Sequence, residues 1–170
     1  GGDLSRDVQV NLKERAPALK FLFQTCADIG MPVVLHCDAD VMPHERTKDT
    51  PEHEVSLKEL MGDPMCQKTT IVWAHAGGLG KYSRIRPGHL DRMRKVFEDP
   101  ALKHVRIDIS WDTVAEQLVC SEEEIMRHEK ERLTNPDCPP PKTDPELVKA
   151  LVNFIETYPD RVLFGSDSLS

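Results

Sequence analysis

The chain has 170 residues, 39% of them hydrophobic and 30% charged, enough apolar material for one folded domain with a core and too much for a disordered segment. A formal net charge of -7 excludes a nucleic-acid partner bound by counterion release, since the most basic stretch, RIRPGHLDRMRK, is short and fits one solvated helix face. No apolar run approaches the roughly 20 residues of a membrane span and no signal-peptide pattern opens the chain, so no membrane partner is expected. Cys26, Cys37, Cys66, Cys120 and Cys138 are odd in number and form no CxxC pair. That argues against a disulfide framework or a structural zinc knuckle and fits a reducing, cytoplasmic setting.

Residues 1–15 are expected to be a loop or the remnant of a preceding unit. Pro17 suits a first helical position, with Leu19, Phe21 or Leu22, Cys26 and Ile29 as the apolar stripe and Gly30 as the stop. Pro32-Val33-Val34-Leu35-His36 is the first strand. Thr50-Pro51 opens a helix that runs to Gly62, ahead of the strand Thr70-Ile71-Val72-Trp73-Ala74-His75. Pro87-Gly88 precedes a helix carrying Leu90, Met93, Val96 and Phe97, and Val105-Arg106-Ile107-Asp108-Ile109-Ser110 is the third strand. Ser121 with Glu124 forms a capping box for a helix through about Leu133, and the stiff run NPDCPPPKT bridges it to the last helix. That helix starts at Thr143, Pro145 and Glu146, buries Leu147, Leu151, Phe154 and Ile155, and ends at Tyr158-Pro159 before the fourth strand, Arg161-Val162-Leu163-Phe164.

Helix followed by strand, repeated, requires parallel strands joined by crossovers. Two architectures satisfy this, an open doubly wound sheet or a piece of a (β/α)8 barrel. In both, the carboxyl ends of the strands carry function. His36 ends the first strand, His75 the second, Ser110-Trp111-Asp112 the third, and Asp167 follows the fourth. Imidazole and carboxylate are the donors of a catalytic zinc or similar divalent ion that keeps one position open for water, and that water can then lose a proton near neutral pH. A single histidine at a strand end is commonly structural, and an Asp after Gly-Ser is commonly a turn residue. Their shared placement, strand after strand, is what points to a site.

Other motifs carry less. Gly77-Gly78-Leu79-Gly80-Lys81 fails as a phosphate loop, because His75 stands where that motif needs glycine and Tyr82 where it needs Ser or Thr. His44-Glu45 and His53-Glu54 lack a second histidine four residues after the first. Arg84 and Arg86 are candidates to clamp an anionic substrate from the loop after the second strand, with a solvated arginine as the plainer alternative. Trp111 fits either a pocket wall or the core.

The stretches MPVVLHCD, IVWAHAGG, VRIDISWD and RVLFGSDS, in this order and at these intervals, resemble strands five to eight of the amidohydrolase superfamily, in its amidohydrolase-related branch of metal-dependent hydrolases and decarboxylases. The resemblance covers the chain from Pro17 onward. It implies an α/β fold, a partial TIM (β/α)8 barrel, so that residues 1–170 make one partial domain from the carboxyl-terminal half of the barrel. It implies that His36, His75 and Asp167 ligate a divalent metal, zinc by expectation. His75 would bind a second metal or orient water and substrate, and Asp167 would handle the proton of the attacking water. Trp111, Asp112 and Arg86 would contact a small-molecule substrate at the pocket edge. One departure is large: the family's strand-one HxH pair is missing, since no two of the seven histidines lie two apart.

The activity implied is hydrolysis of an amide, ester or lactone by metal-activated water. Decarboxylation on the same scaffold is the alternative, favoured if an arginine such as Arg84 or Arg86 reaches the pocket. A chain with two His and one Asp in place of the full ligand set is expected to hold metal weakly and to be poorly active or inactive by itself, while the protein it comes from is an enzyme. The unpaired edges of a half-barrel would make a homodimer an expected assembly, and a non-catalytic half-barrel that binds a partner is the reading from outside enzymology.

Overall fold

The computed structural model describes residues 12–37, 52–80 and 88–165. The chain runs α1 (Leu12–Asp28), β1 (Val33–Leu35), α2 (Glu52–Met61), β2 (Ile71–Trp73), a single turn α3 (Ala74–Gly78) and α4 (His89–Glu98). A 3-10 turn (Pro100–Leu102), β3 (Val105–Ile109), α5 (Asp112–Val119), α6 (Glu122–Arg132), α7 (Pro145–Thr157) and β4 (Val162–Phe164) follow. The four strands form one parallel sheet in the order β1-β2-β3-β4, with Leu35, Trp73, Ile107 and Val162 in line across it. All four expected strands are present, each shortened by one to three residues.

Alternation along the strands gives the sheet two different faces. Ile71, Trp73, Val105, Ile107 and Val162 are buried and join Phe23, Leu57, Met61, Met93, Val96, Val114 and Phe154 of the helices in one core cluster. Residues of the opposite phase, Val34, Val72, Arg106 and Leu163, stand outside that cluster; Val34 is 57% and Leu163 42% exposed, while Val72 of the inner strand is buried. The helices therefore cover one face. The other face leads up to the strand ends that carry His36 and His75.

Several helix ends follow the expected chemistry. The Ser121 hydroxyl accepts the Glu124 N–H at 3.3 Å, and Asp144, one residue after the expected Thr143, accepts the Glu146 N–H at 2.9 Å. The return half of the capping box is used differently: the Glu124 carboxylate accepts from Arg127 and from the Lys142 N–H, which tethers the proline-rich connection to α6. These donors, the Arg127 guanidinium first, pull the Glu124 carboxyl down to about 2.

Two expectations need correction, and one helix was not expected. Helix α1 begins at Leu12 and holds Pro17 in its interior, because a proline in the second turn removes one rung of the ladder while its fixed φ remains helical. Its buried stripe is Leu19, Phe23 and Cys26, whereas Phe21, Leu22 and Ile29 are exposed. The helix does stop at Gly30, whose positive φ of 69° closes a Schellman motif, with Gly30 N–H donating to Ala27 and Met31 N–H to Cys26. Helix α5 went unpredicted, since only Val114 and Leu118 mark its buried side and Trp111 gives it no side-chain cap.

Cys26, Cys66, Cys120 and Cys138 are free thiols. Burial pushes the Cys66 thiol up to about 11, and Cys120 upward as well, so both are structural apolar residues. Among the described residues no helix is long and apolar enough to cross a membrane.

Candidate functional site at the strand ends

Two histidines meet at the carboxyl ends of the neighbouring parallel strands β1 and β2. His36 Nδ1 lies 3.0 Å from His75 Nε2, with the ring centroids 4.8 Å apart in an edge-to-face arrangement. His36 is exposed and directly follows β1. The next residue, Cys37, is tied to the sheet by its carbonyl, which accepts the Trp73 indole N–H at 2.8 Å. The sequence separates the histidines by 39 positions, and only the strand pairing brings them together.

His75 is positioned by unusual backbone. His75, Ala76 and Gly77 have φ of 59°, 52° and 82°, a left-handed turn in which the Leu79 N–H donates to the His75 carbonyl at 2.7 Å. Positive φ in two non-glycine residues is strained, roughly 1–2 kcal/mol each, and persists only where neighbours enforce it. Three neighbours do so. The His75 N–H donates to Asp108 Oδ1 at 2.6 Å. The Ala76 carbonyl accepts from His89 Nε2 at 2.6 Å. Gly77 is pressed against Met93, whose sulfur a Cβ at this position would strike.

The enforcing groups are themselves fixed. Asp108 Oδ1 also accepts the hydroxyl of buried Ser110 at 3.0 Å. His89 is buried, and Arg92 Nη2 donates to its Nδ1 at 3.1 Å, which sets the Nε2–H tautomer that the Ala76 carbonyl requires. Burial, with the Arg92 charge adding to it, holds the His89 imidazole down to about 4, so it is neutral at physiological pH.

Trp111 forms the wall next to His75, with ring centroids 5.8 Å apart. Its ring also packs on Gly80, where a Cβ would come within 3.2 Å of the indole. The Gly80 peptide is clamped by one side chain: Gln117 Oε1 accepts its N–H and Gln117 Nε2 donates to its carbonyl, both at 2.9 Å. Asp112 is exposed in the first turn of α5, where its charge complements the positive end of the helix.

Of the residues expected to form the site, the structure thus brings together His36, His75 and Trp111, and places Asp112 at the adjoining helix start. Asp167, Arg84 and Arg86 lie outside the described residues. Asp108 was missed, because a lone Asp inside VRIDIS fits an ordinary half-solvated strand. Its only signal is that it shares the phase of Arg106, on the face that leads to the strand ends.

The donor chemistry suits a divalent ion in part. The two nitrogens share a hydrogen bond at 3.0 Å in this structure; on one tetrahedral zinc they would sit about 3.3 Å apart, given Zn–N bonds of roughly 2.0–2.1 Å, so a small adjustment would make them a ligand pair. Of the two remaining ring nitrogens, His75 Nδ1 is buried with no hydrogen-bond partner among the described residues. Among the described residues no third His, Cys, Asp or Glu completes a metal-holding group with this pair. Compared with known proteins, the chain matches no family model, no curated protein and no solved structure.

Proposed function

We propose that the chain is a metal-dependent hydrolase of the amidohydrolase-related type, acting on an amide, ester or lactone, and that its sheet is four consecutive strands of a (β/α)8 barrel. The sequential order β1-β2-β3-β4 supports the barrel reading, because doubly wound sheets reverse their strand order at the ligand-binding crevice. The one-sided core supports it too, since a barrel keeps its helices outside and turns the other face of every strand inward.

The observation that carries the functional reading is the approach of His36 Nδ1 and His75 Nε2 at the strand ends. In this reading His36, His75 and Asp167 hold the ion. A divalent ion held there supplies Lewis acidity, which makes water a usable nucleophile near neutral pH. Asp167 takes the proton of the attacking water. Trp111 excludes solvent from one side of His75 and offers an apolar wall to the substrate. Arg106 is not an anion clamp for this site: its guanidinium donates to the Lys103 and Val105 carbonyls, at the opposite end of β3.

Activated ester and lactone probes test this directly. Slow hydrolysis that rises on addition of zinc and disappears in His75→Ala is the expected result, in keeping with the incomplete ligand set. Turnover independent of zinc, or unchanged in His75→Ala, would overturn the assignment.

A further inference from the structure

We infer that Asp108 is a positioning residue for the His75 ligand, a role that rests on the metal-site reading above. It acts through the backbone of His75 and not through the imidazole. Asp108 sits on β3, the strand beside the one that delivers His75, and its Oδ1 accepts the His75 N–H at 2.6 Å. That bond falls at the first residue of the left-handed turn, where φ changes to 59°. A strand continuing in extended geometry would send this N–H toward a neighbouring strand. Asp108 takes it instead, and the chain folds back so that His75 Nε2 faces His36 Nδ1.

The same carboxylate oxygen holds the Ser110 hydroxyl at 3.0 Å, so the acceptor is fixed from below while it fixes His75 from the side. Ser110 is buried, and the Cβ of its neighbour across the β3–β4 pair would sit 3.3 Å from the Ser110 Cβ if Gly165 were replaced. Packing therefore leaves Ser110 little freedom. At the far side of the turn, His89 and Met93 hold Ala76 and Gly77. Asp108 is the clamp at the near side, next to the ligand itself.

Asp108→Ala removes the acceptor, whereas Asp108→Asn keeps an oxygen in place for the His75 N–H. The expected result is a loss of zinc affinity of about tenfold to a hundredfold in Asp108→Ala, the range typical of groups that orient metal ligands, with most of it restored in Asp108→Asn. A readout without metal accompanies it. The amide proton of His75 should lie far downfield in the wild type and in Asp108→Asn, and the ring nitrogens of His75 should shift in Asp108→Ala while those of His89 stay in place. Ser110→Ala, a milder change, should move the same signals in the same direction by less. Wild-type zinc affinity and wild-type His75 shifts in Asp108→Ala would overturn the positioning role and leave the metal site standing. If the wild type binds no zinc, the metal site fails, and the His75 shifts alone decide whether Asp108 sets the ring.

Discussion

His75 occupies backbone that L-amino acids avoid, and the sequence around it supplies what that conformation needs. Gly77 is the position with least tolerance, because its φ of 82° already disfavours a side chain and its Cα faces the buried Met93. Gly77→Ala is expected to destabilise the fold by roughly 2–3 kcal/mol, read as a lower urea midpoint. His89 gives the fold a pH dependence. Its folded value of about 4 lies below the ordinary 6.5, so the fold favours the neutral form. The stabilisation is therefore complete above about pH 6.5 and is lost as the pH falls toward 4. Between pH 7 and pH 5 the loss is about 2 kcal/mol by linkage. Burial also lowers His104, which contributes in the same direction, so the comparison must be made with His89→Gln, a variant that can still donate to the Ala76 carbonyl. The wild type should lose about 2 kcal/mol more than this variant over that interval.

At the scale of elements, the helices are fixed by caps and by a few large side chains. Phe154 of α7 stacks on Phe97 of α4 with centroids 5.5 Å apart and lies 5.2 Å from the Tyr158 ring. Phe154→Ala should cost roughly 3–5 kcal/mol, while Asp144→Ala, which only uncaps α7, should cost about 1 kcal/mol, both read from denaturant unfolding. These elements were legible in the sequence for the same reasons that they are stable. Ser121, Pro145 and the stripe through Phe154 are local signals that tertiary packing did not override. Helix α1 shows where such signals run out. Phe21, Leu22 and Phe23 are consecutive and equally apolar, so periodicity could not choose the buried phase, and packing against α2 and the sheet chose Phe23. The left-handed turn after β2 was hidden for a related reason. Gly77 and Gly78 signal a bend, but positive φ at His75 and Ala76 is imposed by Asp108 and His89, which are distant in sequence.

For the whole molecule, the parallel sheet is paired from β1 to β4 and its core lies on one face. β2 is buried along its whole length, while Val34 of β1 and Leu163 and Phe164 of β4 are exposed. Amide hydrogen exchange should accordingly be slowest in β2 and β3 and markedly faster in the outer strands; equal protection across the sheet would show that the free edges are covered in solution. The convergence of His36 and His75 belongs to this scale as well. Each histidine is unremarkable alone, and only the pairing of β1 with β2 brings them together. The most direct test is a calorimetric titration of zinc into the wild type, His36→Ala and His75→Ala. Saturable binding to the wild type that weakens by at least about tenfold in each variant is expected, since each removes one of the converging ring nitrogens. Equal affinity in all three proteins, or no saturable binding to the wild type, would contradict it.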